Sequence, residues 1–116
     1  MDNGITDYIK RKMSQKQNHK KWRKQFNENC LERDGHKCVF CSNDTDLDVH
    51  HITDRHEMPN GGYAITNGIT VCEEHHLLCE EYHATGHAAI GYHPNDLYAR
   101  ISSSHSQAYI DSQNLR

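Results

Sequence analysis

Apolar positions are sparse along this chain and fall into short, separated groups. Trp22, Phe26 and Cys30 recur every four residues, and Gly35 follows Asp34 as a left-handed stop, so a helix should end just before Cys38. Residues 1–18 show little apolar periodicity and read as a flexible arm or a frayed helix. After the polar turn SNDTD, LDVHHI alternates loosely and is rich in branched residues, which predicts a strand over 47–52. PNGG at 59–62 makes a loop. Asn67-Gly68 is a hairpin-type dipeptide between YAIT and ITV, and predicts a second strand near 69–71 paired with the first. CEEHHLLCEEYH contains no breaker, sets Glu73 and Glu74 in a first helical turn, and should form a helix that stops by Gly86. It stacks His76, Glu80 and His83 at spacings of four and three. Pro94 opens a further helix with Leu97 and Ile101 four apart, and Ser102 to Ser104 separate it from a helical tail.

This pattern is that of one small α+β domain: a basic arm over 1–18, a core over 19–90 and a helical extension over 91–116. Composition adds that the core is thin. Only 34% of the 116 residues are hydrophobic, and mean hydropathy is −0.97. Five cysteines and eleven histidines offer a remedy, because metal ligation supplies folding free energy that a small core lacks. No run approaches the roughly 20 apolar residues of a membrane span, and the first residues do not resemble a signal peptide. An odd cysteine number argues against a disulfide framework and for thiolates on metal in a cytoplasmic protein.

Net charge is −3, yet its distribution is uneven. Residues 1–37 hold 10 Lys and Arg against 5 Asp and Glu, whereas residues 38–116 hold 3 against 11. The basic stretch that includes Lys16, Lys20, Lys21, Arg23 and Lys24 either faces nucleic-acid phosphate or forms a solvated helix face.

Cys38-x2-Cys41 and Cys72-x2-His75 form two knuckles separated by residues 42–71. Thiolate and imidazole at these spacings suit one tetrahedral zinc, and a closed four-ligand set is structural rather than catalytic. Cys79, one turn beyond His75, competes with it as the fourth ligand, and Cys30 belongs to the apolar face of the first helix.

The ordered pieces ERDGHKCVFC, DVHHI, PNGGY, Asn67 and VCEEHH, over about residues 20–83, resemble the HNH endonucleases. That resemblance implies a ββα-metal core, treble-clef-like, gripping one catalytic divalent ion between a hairpin and a helix. It places His51 as general base, His50 and His76 as metal ligands, and Asn67 as the residue that steadies the loop and helps hold the base. Read alone, Asn67 before Gly68 is a turn residue, and His50 and His51 point to opposite faces of a regular strand. His83 and Glu80 would complete the site or orient a water, and Arg55 would clamp a phosphate or solvate its loop. Many members carry Asp at the position of His50 and Cys at that of His75. The imidazole softens the catalytic site, favouring Mn²⁺ or Ni²⁺ relative to Mg²⁺.

The expectation is a small DNA endonuclease or nicking enzyme of the kind found in phage and mobile elements. It would have structural Zn²⁺, catalytic Mg²⁺, Mn²⁺ or Ni²⁺, no organic cofactor, no membrane partner, and a monomeric or weakly dimeric state. The alternatives are a non-catalytic zinc-braced DNA-binding module and a redox or metal-storage protein, the latter leaving the ordered Asn67 and His76 unexplained.

Overall fold

The computed structural model describes residues 4–116. Helix α1 (Gly4–Arg33) is one continuous element, so the expected arm is helical and the boundary at residue 18 falls inside it. Residues 1–3 of the expected arm lie outside the described residues. No Gly or Pro occurs from Ile5 to Asp34, and Lys, Arg, Gln and Met are good helix formers. Periodicity is absent because residues 6–18 are exposed all round. Trp22, Phe26 and Cys30 are the buried face, as their spacing predicts.

Strands β1 (Leu47–His51) and β2 (Gly68–Cys72) form an antiparallel pair in which His50 lies opposite Ile69 and His51 opposite Gly68. Asn67-Gly68 does not make the two-residue hairpin turn. The connection runs through three short 3-10 turns, Arg55–Glu57, Pro59–Gly62 and Ile65–Asn67, and Gly68 already has extended backbone. Helix α2 (Glu73–Thr85) follows at once and stops at Gly86, whose φ of 79° is left-handed. The extension forms α3 (Pro94–Arg100) and α4 (His105–Gln113). It is part of the core rather than an appendage, because Leu97, Tyr98 and Ala108 pack with Ile52, Ile69 and Val71.

The sheet is thus sandwiched between helices, and β2 is buried along its whole length. Ile69 and Val71 join the cluster that includes Cys79 of α2, while Gly68 and Thr70 meet α1. The alternation is the period of two that a strand imposes. Gly68 permits the close approach of α1: a Cβ there would lie 2.5 Å from the Phe26 ring and 2.7 Å from Cys30 Sγ. No helix among the described residues is long and apolar enough to cross a membrane.

Candidate functional site

The first knuckle lies beyond the end of α1 and the second spans the junction of β2 and α2. Among the described residues, Cys38, Cys41, Cys72 and His75 each offer a ligand atom within 4.8 Å of the others. Cys41 Sγ is 3.7 Å from Cys72 Sγ, and His75 Nδ1 is 3.8 Å from Cys38 Sγ and 3.1 Å from Cys72 Sγ. A tetrahedral ion with ~2.3 Å bonds to sulfur spaces neighbouring sulfurs by about 3.8 Å, so the set is compatible with a structural metal such as zinc. Burial opposes ionisation of Cys38, but hydrogen bonds from the backbone of Cys72, Cys41 and Phe40 outweigh it and pull its thiol below the usual value. Cys79 is outside the cluster, and burial pushes its thiol up to about 12, which suits a neutral core side chain. Phe40 stacks on His75 at 5.3 Å and on Tyr92 at 4.7 Å, covering the cluster with aromatic surface.

After five intervening residues, 42–46, the first knuckle is followed by the strand that carries the second group. His50, on the α2 side of β1, lies within 4.8 Å of His76 and Glu80 when one ligand atom is taken from each. Glu80 Oε1 bridges them, 3.2 Å from His50 Nδ1 and 3.0 Å from His76 Nε2. His76 Nδ1 also lies 3.5 Å from Asp48 Oδ2. His83 is not in this group: its ring stacks on His50 at 5.0 Å, and its Nε2 sits 2.9 Å from the backbone oxygen of His51.

His51 points to the α1 side, where its ring stacks on Phe26 at 4.5 Å and meets the edge of Tyr63 at 5.2 Å. The backbone of Gly61 lies close by and partly offsets the lowering of its proton affinity. The two histidines do face opposite ways, as strand geometry demands. Nevertheless both line one open cavity of about 300 Å³, with Val49, Asp54, Arg55, His76, Glu80 and His83. They can do so because β1 has a partner on one edge only, and the cavity lies at the other.

Burial, then the positive charges possible on His83 and His76, pushes His50 down to about 3. Burial, then Arg55, pushes His51 down to about 4. Both rings are therefore neutral near pH 7. His50 Nε2 and His51 Nε2 are buried with no hydrogen-bond partner. Such unpaired nitrogens cost free energy, and a ligand or ion that uses them recovers it.

Asn67 is fully buried, outside the cavity. Its Nδ2 donates to the carbonyls of Thr53 and Gly62, and its Oδ1 accepts from the Thr53 amide and from Tyr98 Oη. It ties together the two ends of the loop that holds Gly61 against His51. Of the basic residues, Lys16 and Arg23 line one groove of α1 and Lys21 and Lys24 another, while Lys20 borders both. Arg55 is exposed at the cavity rim.

Phe26 beneath His51, Asp48 beside His76 and Tyr98 on Asn67 were not legible as site residues. Phe26 reads as part of the apolar face of the first helix, and nothing in the local pattern singles out Asp48 or Tyr98 before the loop and α3 come together around them. Compared with family models, curated proteins and solved structures, the chain matches none.

Proposed function

We propose that this chain is a metal-dependent endonuclease of the HNH kind that hydrolyses DNA phosphodiester bonds, with Cys38, Cys41, Cys72 and His75 holding a structural zinc. The observation that carries the proposal is the juxtaposition in one cavity of a neutral, ring-stacked His51 and the His50, His76 and Glu80 group. His50 turns its Nδ1 to Glu80, and the unpaired Nε2 of His51 fits an acceptor for a reacting water better than it fits a packed core.

His50, His76 and Glu80 would hold a divalent ion, which when bound supplies Lewis-acid stabilisation to phosphate oxygens. Two imidazoles and one carboxylate suit Mn²⁺ or Ni²⁺ at least as well as Mg²⁺. His51 would accept a proton from the attacking water at its free Nε2, since the Phe26 stack and the edge of Tyr63 fix its ring. Its lowered proton affinity keeps it in the basic form at cellular pH, at the expense of some base strength. Asn67 acts through the loop and is a positioning residue. One such centre per chain would cut one strand at a time, so a monomer would nick.

The test is supercoiled plasmid incubated with zinc-loaded protein and Mg²⁺, Mn²⁺ or Ni²⁺ added separately, beside His51→Ala at equal zinc content. Nicking that needs the added ion and is lost in His51→Ala is the expected result. Folded protein that shifts DNA but leaves every plasmid intact under all three ions would overturn the enzyme and leave a zinc-braced binding module.

A further inference from the structure

Between α1 and the loop after β1 lies a second cavity, of about 410 Å³, lined by His19, Arg23, Arg55, His56, Gly61 and Tyr63. Two guanidinium groups and two imidazoles line it, and no carboxylate does. Arg55 also lines the histidine cavity, so the two adjoin at that side chain. On its other side, His19 and Arg23 also line the groove of α1 formed with Lys12, Gln15, Lys16 and Lys20, again without a carboxylate. The shared members make one continuous basic track that runs from α1 to His51.

Helix geometry explains the sorting of the cations. At 3.6 residues per turn, positions 12, 16, 19, 20 and 23 fall on one stripe next to the Trp22 and Phe26 face. Lys21 and Lys24 fall on the adjoining face with Gln17, Gln25 and Glu28, where Lys24 Nζ is 4.0 Å from Glu28, and Lys20 stands on the border between the two faces. Among the described residues, none of Lys12, Lys16, Lys20, Arg23 and Arg55 has a carboxylate within ion-pair distance. Arg23 is pinned by its Nε, which donates to Tyr63 Oη at 3.3 Å, so the rest of its fork is available to the cavity. Uncompensated cations held side by side repel one another, and a bound polyanion relieves that repulsion. Guanidinium forks match phosphate oxygens in geometry as well as charge.

We propose that the His19, Arg23, Arg55 and His56 cavity is a phosphate subsite for the nucleotide flanking the one that is cut. The strand's backbone then continues along the Lys12, Lys16 and Lys20 stripe of α1. What is cut rests on the nuclease reading above; what is bound does not. The subsite gives the strand a fixed direction of approach, with Arg55 between the flanking phosphate and the reacting one. It reads backbone and no base, so it contributes affinity and register rather than sequence choice.

The experiment measures binding of a short DNA duplex by fluorescence anisotropy across a salt series, using zinc-loaded full-length protein in the His51→Ala background without added divalent ion. Arg55→Ala is the leading variant, since the side chain is exposed and its removal does not empty the core. Lys12→Ala with Lys16→Ala tests the stripe, since neither borders the other groove, and Lys21→Ala with Lys24→Ala tests the adjoining face. Each lost phosphate contact lowers the slope of log affinity against log salt by about 0.9, which shrinks the affinity loss between 50 and 200 mM salt by about three- to fourfold. A slope lower by about 0.9 is expected for Arg55→Ala and by about 1.8 for the stripe pair, with a change of less than about 0.4 for the adjoining pair. Arg23→Lys should retain fold and slope but weaken affinity, because a point charge replaces the fork.

Equal losses from both faces, no loss from Arg55→Ala, or no DNA binding at all would overturn the subsite. Plasmid nicking with face-independent binding would sink the subsite and leave the nuclease; face-dependent binding without nicking would do the reverse.

Discussion

Tyr98 on α3 donates its hydroxyl proton to Asn67 Oδ1 at 2.7 Å, in the buried interior of the molecule. Since that proton is used, the Thr53 hydroxyl 2.7 Å away must donate to the Tyr98 oxygen. Asn67 thereby uses both amide hydrogens and accepts twice, fastening residues 53 and 62 and the C-terminal helices to the end of β1.

Asn67→Ala leaves several of these groups buried and unpaired, so a destabilisation of roughly 2–4 kcal/mol is expected in urea unfolding of the zinc-loaded protein. Asn67→Asp should be nearly as costly despite its equal size, because it sets an oxygen against the carbonyls of Thr53 and Gly62. Tyr98→Phe removes only the hydroxyl and should cost about 1–2 kcal/mol. If Asn67→Asp proves neutral, the bonding just described is wrong. Both Asn67 variants should also lose plasmid nicking beyond what unfolding explains, through a loosened His51.

The Phe26 ring occupies the space left by the missing side chain of Gly68 and supports His51 from below. Gly68→Ala cannot fit unless Phe26 or Cys30 moves, and overpacking of this kind costs typically ~1–3 kcal/mol. Phe26→Leu on its own should also destabilise, by opening a gap. Together the two should cost less than the sum of the separate changes, read as a double-mutant cycle by thermal unfolding. Strict additivity would mean that Phe26 does not fill that space.

The legible features were those that depend on local chemistry. Spacing alone located α2 and its Gly86 stop, the paired strands, the α3 start at Pro94 and the two knuckles that come together as Cys38, Cys41, Cys72 and His75. Two features were misread for identifiable reasons. The first half of α1 has no buried face, so apolar periodicity could not reveal a helix that depends on propensity and continuity with its packed half. Asn67-Gly68 has the composition of a tight turn, but Asn67 is drawn inward by four side-chain hydrogen bonds, three of them long-range, and Gly68 is required by the closeness of Phe26. The meeting of His50 and His51 at one cavity depends on β1 being an edge strand, which a sequence pattern does not state.

Zinc ligation makes a prediction that separates two cysteines of opposite burial. Cys41 is exposed, so Cys41→Ser removes little packing, yet it takes one of four ligands from the cluster. Metal content measured by atomic emission should fall from one zinc per chain, and the protein should unfold cooperatively at much lower temperature or not fold. Cys79 is buried and outside the cluster, so Cys79→Ala should keep one zinc per chain and lose only the modest stability of a vacated core position. Retained zinc in Cys41→Ser together with loss in Cys79→Ala would reassign the fourth ligand.

The last relationship is electrostatic and lies at the end of α1. Asp34 accepts from the Thr70 amide at 3.0 Å and from Nε and Nη2 of Arg33, whose guanidinium also donates to the carbonyls of Ile65 and Gly68. Burial works against the charge of Asp34, but the bonds from Arg33 and Thr70 outweigh it and hold the carboxyl below its ordinary value. A carboxyl depressed on folding adds stability that is fully present above its unfolded pKa of about 3.9 and is lost as pH falls through the lower native value. Asp34→Asn removes that term at every pH. The stability gap between the two proteins, from urea unfolding, should therefore be constant between pH 7 and about 5 and close as pH drops below about 4. Zinc release in acid is common to both proteins and cancels in the difference. A gap that instead widened in acid would mean that folding raises the pKa of Asp34, contrary to its bonds with Arg33 and Thr70.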